Sequence, residues 1–362
     1  MTTSSNEATI DVNQLFRLDE FEALAMTRMT VAARDLCQEG AGTGSAVRAN
    51  AAAWKQWALR ARVLRDVSRR DLSTSVLGTR VSLPLLIAPS GLHGLVHSEA
   101  EVATARAARS SDTLMVLAMN SSLSVEQVAE EGAKLWFQLY WGVERDFLVD
   151  IMARAASAGC KAFCLTVDMP VRPWILGPMR RMLAVVGDVQ PAHGFPRSGH
   201  LALQARWDHD ARLTWNDLAW LRSRSTLPIV LKGIMTVEDA VLAADHGADA
   251  IIVSNHGGRM LEEGFATAEV LPSIVASVGH RLEILVDGGI RTGSDVAKAL
   301  ALGARAALIG RPALWGLAVG GAAGVGRILE LVRDELQSVL GMVGAASVAD
   351  VDASAVARRG PV

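Results

Sequence analysis

Short, unbroken apolar runs recur along the chain, and most are followed by stretches whose apolar residues fall at three- and four-residue spacing. The runs are Leu85–Ala88, Leu114–Leu117, Leu135–Tyr140, Ala162–Val167, Ile229–Lys232, Ala250–Ser254, Ile284–Asp287 and Ala307–Gly310. Helical spacing is found over Ser124–Glu131, Asp146–Ala158, Val237–Ala244, Ala268–Val278, Ser294–Ala301 and Val325–Leu340. A strand that is apolar on both faces has to be covered on both faces, as in a parallel sheet flanked by helices. Repetition of this unit eight times predicts an α/β fold closed into a TIM (β/α)8 barrel, rather than an open doubly wound sheet. Gly-Ala pairs in 244–250 and 301–307 read as helix C-caps leading into the next strand.

The remaining chain departs from this repeat at three places. About eighty residues precede the first run and read as a helical cover (about 1–80), with Phe16–Leu36 in helical spacing and Trp54 and Trp57 available to pack on the barrel. The Trp-rich stretch 213–221 reads as a core-packing helix. Residues of about 169–213 carry Pro170, Pro173, Pro178, Pro191 and Pro196 with Gly187, Gly194 and Gly199, and show no clear element. A long loop leaving the carboxyl end of the fourth strand lies on the face where such barrels do chemistry, so a lid is expected. The tail after Gly341 is expected to fray. The chain, 1–362, reads as a single barrel domain.

Composition narrows the function classes. A formal net charge of −2 gives no basic face for nucleic acid. Cys37, Cys160 and Cys164 are too few for a disulfide framework and lack metal-ligand spacing, which suits reduced thiols and no metal site. The first residues lack the basic and apolar regions of a signal peptide, and the longest uncharged stretch, Pro312–Gly326, is too short for a membrane span. A cytoplasmic location without a membrane span is the expectation.

Polar residues gather at the strand ends. His256 follows the run Ile251–Ser254 and precedes Gly257, Gly258 and Arg259. An imidazole can take a proton near neutral pH, and a guanidinium can hold a carboxylate with two parallel hydrogen bonds. Other ends carry Ser90, Gln138, Tyr140, Thr166, Asp168, Lys232, Asp287 and Arg291, and Gly310 with Arg311. All should face one bowl. Asp168 could orient the imidazole. The glycines and arginines after the last two strands fit a phosphate site, with glycine permitting close backbone approach to the anion. His93, His97 and His246 read as surface or packing residues.

From about residue 60 to 345 the chain resembles the FMN-dependent 2-hydroxy-acid oxidases and dehydrogenases, the family of glycolate oxidase, lactate oxidase and mandelate dehydrogenase. The matching stretches are 66–74, Phe137-Gln138-Leu139-Tyr140, Leu165-Thr166-Val167-Asp168, Leu231-Lys232-Gly233, 254–259, 287–291 and Gly310-Arg311-Pro312 with Leu314-Trp315. The resemblance implies FMN at the barrel mouth. It places Gln138, Thr166 and the backbone near Ser90 on the flavin ring, and Lys232 beside the ring edge that becomes negative on reduction. It places Asp287, Gly289, Arg291, Gly310 and Arg311 on the ribityl chain and phosphate, and counts Ser254 among the cofactor contacts. It makes His256 the base, with Asp168 as its partner, Tyr140 the contact of the substrate hydroxyl, and Arg259 that of its carboxylate. Electrons pass from the substrate carbon to the flavin and on to oxygen, a quinone or a carrier protein. A homo-oligomer, commonly a tetramer, is also implied. An FMN-dependent barrel isomerase and a non-catalytic flavin-binding relative are the alternatives.

Several positions depart from the family pattern. Leu36 stands where a carboxylate-binding tyrosine is expected, and Trp174 and Ile175 where an arginine is; Arg180 could substitute only with a shifted loop. Ala118 and Met119 replace serines, and Arg259-Met260-Leu261-Glu262 replaces Arg-Gln-Leu-Asp. Each lost charge-assisted contact removes roughly 1.5–3 kcal/mol of acid binding. The expected substrate is therefore a larger, aryl or apolar 2-hydroxy acid, or a secondary alcohol whose carboxylate is masked or absent.

Overall fold

A computed structural model describes residues 10–142, 144–171, 192–193 and 210–360. The eight apolar runs form β4 (Leu85–Ile87), β5 (Leu114–Ala118), β6 (Lys134–Tyr140), β7 (Phe163–Thr166), β8 (Ile229–Ile234), β9 (Ala250–Val253), β10 (Glu283–Val286) and β11 (Ala306–Ile309). They are parallel and close on themselves in the order β10-β11-β4-β5-β6-β7-β8-β9. Around them run α4 (Ala100–Ser110), α5 (Val125–Ala129), α6 (Arg145–Ser157), α7 (Asn216–Arg222), α8 (Val237–Asp245), α9 (Thr267–Val278), α10 (Gly293–Ala301) and α11 (Arg311–Val343). Helix α7, from the Trp-rich stretch, buries Leu218 and Leu221.

Strand side chains alternate between two apolar layers. One parity points outward to the helices and includes Leu85, Ile87, Phe137, Leu165, Leu231 and Ile251. The other fills the barrel with Leu86, Val116, Trp136, Cys164, Val230, Ile252, Leu285 and Leu308. Carried upward by two residues, the interior parity reaches Ala118, Gln138, Thr166, Lys232, Ser254, Asp287 and Gly310. The same alternation that packs the dry interior therefore delivers the polar residues to its mouth.

The segment before the barrel is more than helical cover. It contains α1 (Leu18–Arg28), α2 (Val31–Gln38) and α3 (Ser45–Lys55), and then three short strands. Two of them, β2 (Thr74–Val76) and β3 (Thr79–Val81), form an antiparallel hairpin. Its buried Val76 and Val81 belong to the interior layer and plug the barrel floor. Glu283, at the start of β10, accepts the Leu77 N–H at 3.0 Å and ties the plug in place.

The expectation of a frayed tail is corrected. After α11 the chain forms β12 (Val356–Arg358), which pairs antiparallel with β1 (Trp57–Leu59). Backbone pairing and the burial of Ala355 and Val356 outweigh the weak local propensity. Helix α11 is the one described helix long and apolar enough to cross a membrane. It leaves helical geometry at Gly320 and Gly321, and it packs on α1, α4 and α10 as a core helix does. Most of the expected lid, with Trp174, Ile175 and Arg180, lies outside the described residues.

Candidate active site

The carboxyl ends of the barrel strands surround a cavity of about 1050 Å³, including space open to solvent. Ser90, Gln138, Tyr140, Thr166, Lys232, His256, Arg259, Asp287, Gly289, Arg291, Gly310 and Arg311 all line it. Ser254 sits just beneath, fully buried, and Asp168 stands behind His256.

His256 lies in the turn after β9 with φ +58°, a left-handed conformation that turns the chain sharply back on itself. The Ser254 hydroxyl accepts the His256 N–H at 3.1 Å and so steadies that turn. The ring Nδ1 lies 3.0 Å from Asp168 Oδ1, and this contact presents the opposite nitrogen to the cavity. Burial pushes the Asp168 carboxyl up, but His256 and Lys232 together hold it below the ordinary carboxylate value. Asp168 is brought within reach by Gly233, at φ +114° in the irregular stretch of β8. A Cβ there would stand 2.5 Å from the Asp168 Cβ.

Lys232 is buried on the cavity floor. Its Nζ donates to Ser254 Oγ at 3.0 Å and lies 3.4 Å from Asp287 Oδ2. Burial disfavours its charge, but Asp287 and Asp168 outweigh that and raise its pKa above the ordinary lysine value. Asp287 Oδ1 and Asp168 Oδ2 are buried with no hydrogen-bond partner among the described residues. Such atoms are costly unless a bound group satisfies them. Gln138 is fixed at both ends of its amide: Oε1 accepts the Met119 N–H at 3.2 Å, and Nε2 donates to Leu139 O at 2.8 Å and Thr166 Oγ1 at 3.0 Å. Burial pushes the Tyr140 phenol up to about 12, so it is protonated at neutral pH.

Three half-buried arginines also line the cavity. Arg311 donates to the carbonyls of Cys37 at 2.7 Å, Gly257 at 2.8 Å and Glu39 at 2.9 Å. Arg259 donates to the same Glu39 carbonyl at 3.3 Å. The Cys37 and Glu39 carbonyls lie at the carboxyl end of α2, where the helix dipole is negative and favours cations. Arg291 donates to Ile290 O at 2.8 Å and lies over the Trp315 ring at 4.9 Å. Burial lowers the pKa of all three, and Arg259 and Arg291 lower that of Arg311 further by like-charge repulsion. Guanidinium groups stay charged nonetheless, so this part of the lining is built for anions.

One of the cavity glycines carries a packing constraint as well. Gly289, at φ +79°, is required by the cover: a Cβ there would stand 2.4 Å from the Asn50 carbonyl of α3. Asn50 and Asn255 exchange side-chain hydrogen bonds at 2.8 and 2.9 Å, and Ala41 N–H donates to Gly258 O at 2.9 Å. Helices α2 and α3 thus back one side of the cavity, with Cys37 in its lining. Sequence reasoning missed Cys37, Asn50 and Asn120 in this role; Cys37 and Asn120 line the cavity, and nothing in their local sequence marks them. Leu36 lies in α2, but its side chain is outside the described residues. Met119 is buried behind the lining, with its sulfur 3.4 Å from the Tyr140 N–H.

This cavity fits FMN. Asp287 Oδ1 offers an acceptor unmet among the described residues to a hydroxyl, the half-buried arginines suit a phosphate, and Lys232 places a cation on the cavity floor. Residues 25–358 match the family model described as FMN-dependent dehydrogenase. The chain is 44% identical to an L-lactate oxidase from a Nostoc species, over 95% of this chain and 98% of that one. It is 37% identical to the glycolate oxidase of Spinacia oleracea, covering 95% and 96%. Among solved structures, a mandelate oxidase variant with (S)-mandelic acid superposes with a TM-score of 0.88 at 38% identity, covering 96% and 100%. A soluble mutant of the membrane-associated (S)-mandelate dehydrogenase from Pseudomonas putida gives 0.89 at 33%, covering 95% and 99%.

Proposed function

From the premise that the chain belongs to the FMN-dependent dehydrogenase family, and is an FMN-dependent oxidoreductase acting on 2-hydroxy acids, we propose that its substrate is a larger, aryl or apolar 2-hydroxy acid, oxidised to the keto acid. His256 is the base. The observation that carries this reading is the 3.0 Å His256–Asp168 contact at the edge of a cavity that three half-buried arginines also line.

Each residue then has a physical task. Arg259 pairs with the substrate carboxylate, and Tyr140 donates from its protonated phenol to the substrate hydroxyl oxygen. The ring nitrogen of His256 not committed to Asp168 accepts a proton from the substrate, and the Asp168 carboxylate stabilises the resulting imidazolium. FMN, when bound, supplies the acceptor for the two electrons. Gln138, Thr166, Ser254 and the backbone at Ser90 would hold its ring, and Lys232 would stabilise the negative charge the ring gains on reduction. Asp287, Gly289, Arg291, Gly310 and Arg311 would hold the ribityl chain and its phosphate, Asp287 by accepting from a ribityl hydroxyl. Arg311 commits three of its five N–H donors to carbonyls, which fixes its guanidinium and leaves two donors and its charge for the phosphate.

The preference for bulk rests on Ala118, Leu92 and Cys37 in the cavity lining, and on the sequence departures at Leu36 and Ile175. Oxygen, a quinone or a carrier protein then takes the electrons. A cytoplasmic homo-oligomer, most simply a tetramer, is the accompanying proposal, checked by mass in solution. The test of the substrate is anaerobic bleaching of the bound flavin by a panel running from glycolate and lactate to aryl 2-hydroxy acids and their esters. The aryl acids should bleach fastest; rapid bleaching by glycolate or lactate, with none by the larger compounds, overturns the preference.

A further inference from the structure

His193 comes from the insertion between β7 and α7, yet its imidazole is fully buried beside the barrel. The ring meets Phe137 of β6 edge to face at 5.3 Å. Its Nε2 receives the Val125 N–H at 2.8 Å, and its Nδ1 lies 2.9 Å from the Met119 carbonyl. An amide N–H can only donate and a carbonyl only accept, so the neutral ring carries its proton on Nδ1. Beside it, Ala192 N–H donates to Ser121 O at 3.0 Å. All three polar contacts of the ring among the described residues, counting Ser121 Oγ at 3.5 Å from Nδ1, end on the turn that leads from β5 into α5. The Met119 N–H from that same turn donates to Gln138 Oε1, and Gln138 and Thr166 line the cavity.

We propose that His193 is a positioning residue for the flavin pocket: its neutral imidazole locks the turn Met119–Val125 and, through the Met119 amide, fixes the Gln138 carboxamide that faces the flavin. The inference rests on FMN binding alone and not on which hydroxy acid is oxidised. Protonation would set an Nε2–H against the Val125 N–H and break the lock. The charged groups facing the ring are Arg154 of α6, Glu126 of α5 and Glu101 of α4. Arg154 and Glu126 are paired at 2.8 and 3.0 Å, and Glu101 accepts the N–H groups of His93, Ser122 and Leu123. Burial, aided by Arg154, pushes the His193 pKa below its ordinary 6.5, while the Met119 carbonyl and the two glutamates oppose this. A depressed histidine pKa means that the lock is fully present above 6.5 and is lost as pH falls through the lower folded value.

The experiment measures FMN dissociation from the holoenzyme by flavin fluorescence across mildly acid to neutral pH, for the native protein, His193→Gln and His193→Phe. Gln keeps a donor and an acceptor but does not titrate; Phe keeps the shape and loses both bonds. The native protein should weaken for FMN on acidification by roughly three- to ten-fold, the worth of one hydrogen bond. His193→Gln should reduce that step, and His193→Phe should be weak at every pH. Nitrogen-15 shifts of the native histidine should show the Nδ1-protonated tautomer at neutral pH. An Nε2-protonated ring, an unchanged acid step in His193→Gln, or native FMN affinity in a folded His193→Phe overturns the proposal.

Discussion

His256 and Arg259 stand three residues apart, but they do different jobs and should fail differently. Replacing Arg259 with Met removes a charge-assisted pair of roughly 1.5–3 kcal/mol. This should raise KM by about ten- to a hundred-fold with bound FMN retained, as steady-state kinetics and flavin absorbance would show. Asp168→Asn should act on kcat, because the amide cannot stabilise the imidazolium; a loss of about a hundred-fold or more is expected. Its sign with pH follows from the depressed carboxyl: Asp168 stays ionised down to below its ordinary 3.8, and its support of the pair is lost only as pH falls through that lower value. The acid limb of kcat in the native protein should therefore not be that of Asp168, and a pH–rate profile checks it. At this scale the sequence was readable wherever a polar residue ended an apolar run. Cys37 and Asn120 were not readable, because their place in the cavity depends on how α2 and the loop after β5 dock.

The strand alternation explains why so much of the site could be placed in advance. Interior parity, continued past Val116, Trp136, Cys164, Val230, Ile252, Leu285 and Leu308, arrives at the cavity-facing residues without further information. The floor was not legible. The hairpin of β2 and β3 is too short for periodicity to register, and only its contact with the barrel interior gives Val76 and Val81 a reason to be apolar. Val81→Asp would set an uncompensated carboxylate in that dry layer and should destabilise by several kcal/mol, seen as a lowered Tm or a failure to fold. An exposed change on the same hairpin, Arg80→Gln, should stay within about 0.5 kcal/mol. The tail shows the same limit: β12 exists because β1 is there to pair with it, a partnership nearly three hundred residues apart in sequence.

Across the whole molecule, the barrel supplies the chemistry, and helices α2 and α3 back one side of the cavity. Arg259 and Arg311 donate to the carbonyl end of α2, and Asn50 of α3 is interlocked with Asn255. Weakening that backing should loosen FMN without disturbing the barrel: Asn50→Ala should weaken flavin binding several-fold, read by flavin fluorescence, with the far-UV circular dichroism unchanged. The proposed oxidation places every step inside this one cavity, and its central claim concerns a single proton. The most direct measurement is anaerobic stopped-flow reduction of the bound flavin by an aryl 2-hydroxy acid, for the native protein beside His256→Gln. Rapid bleaching of the native protein, and a rate at least about a hundred-fold lower in a variant that still binds FMN, is the expected result. Equal rates in the two proteins would contradict the assignment of His256 as the base.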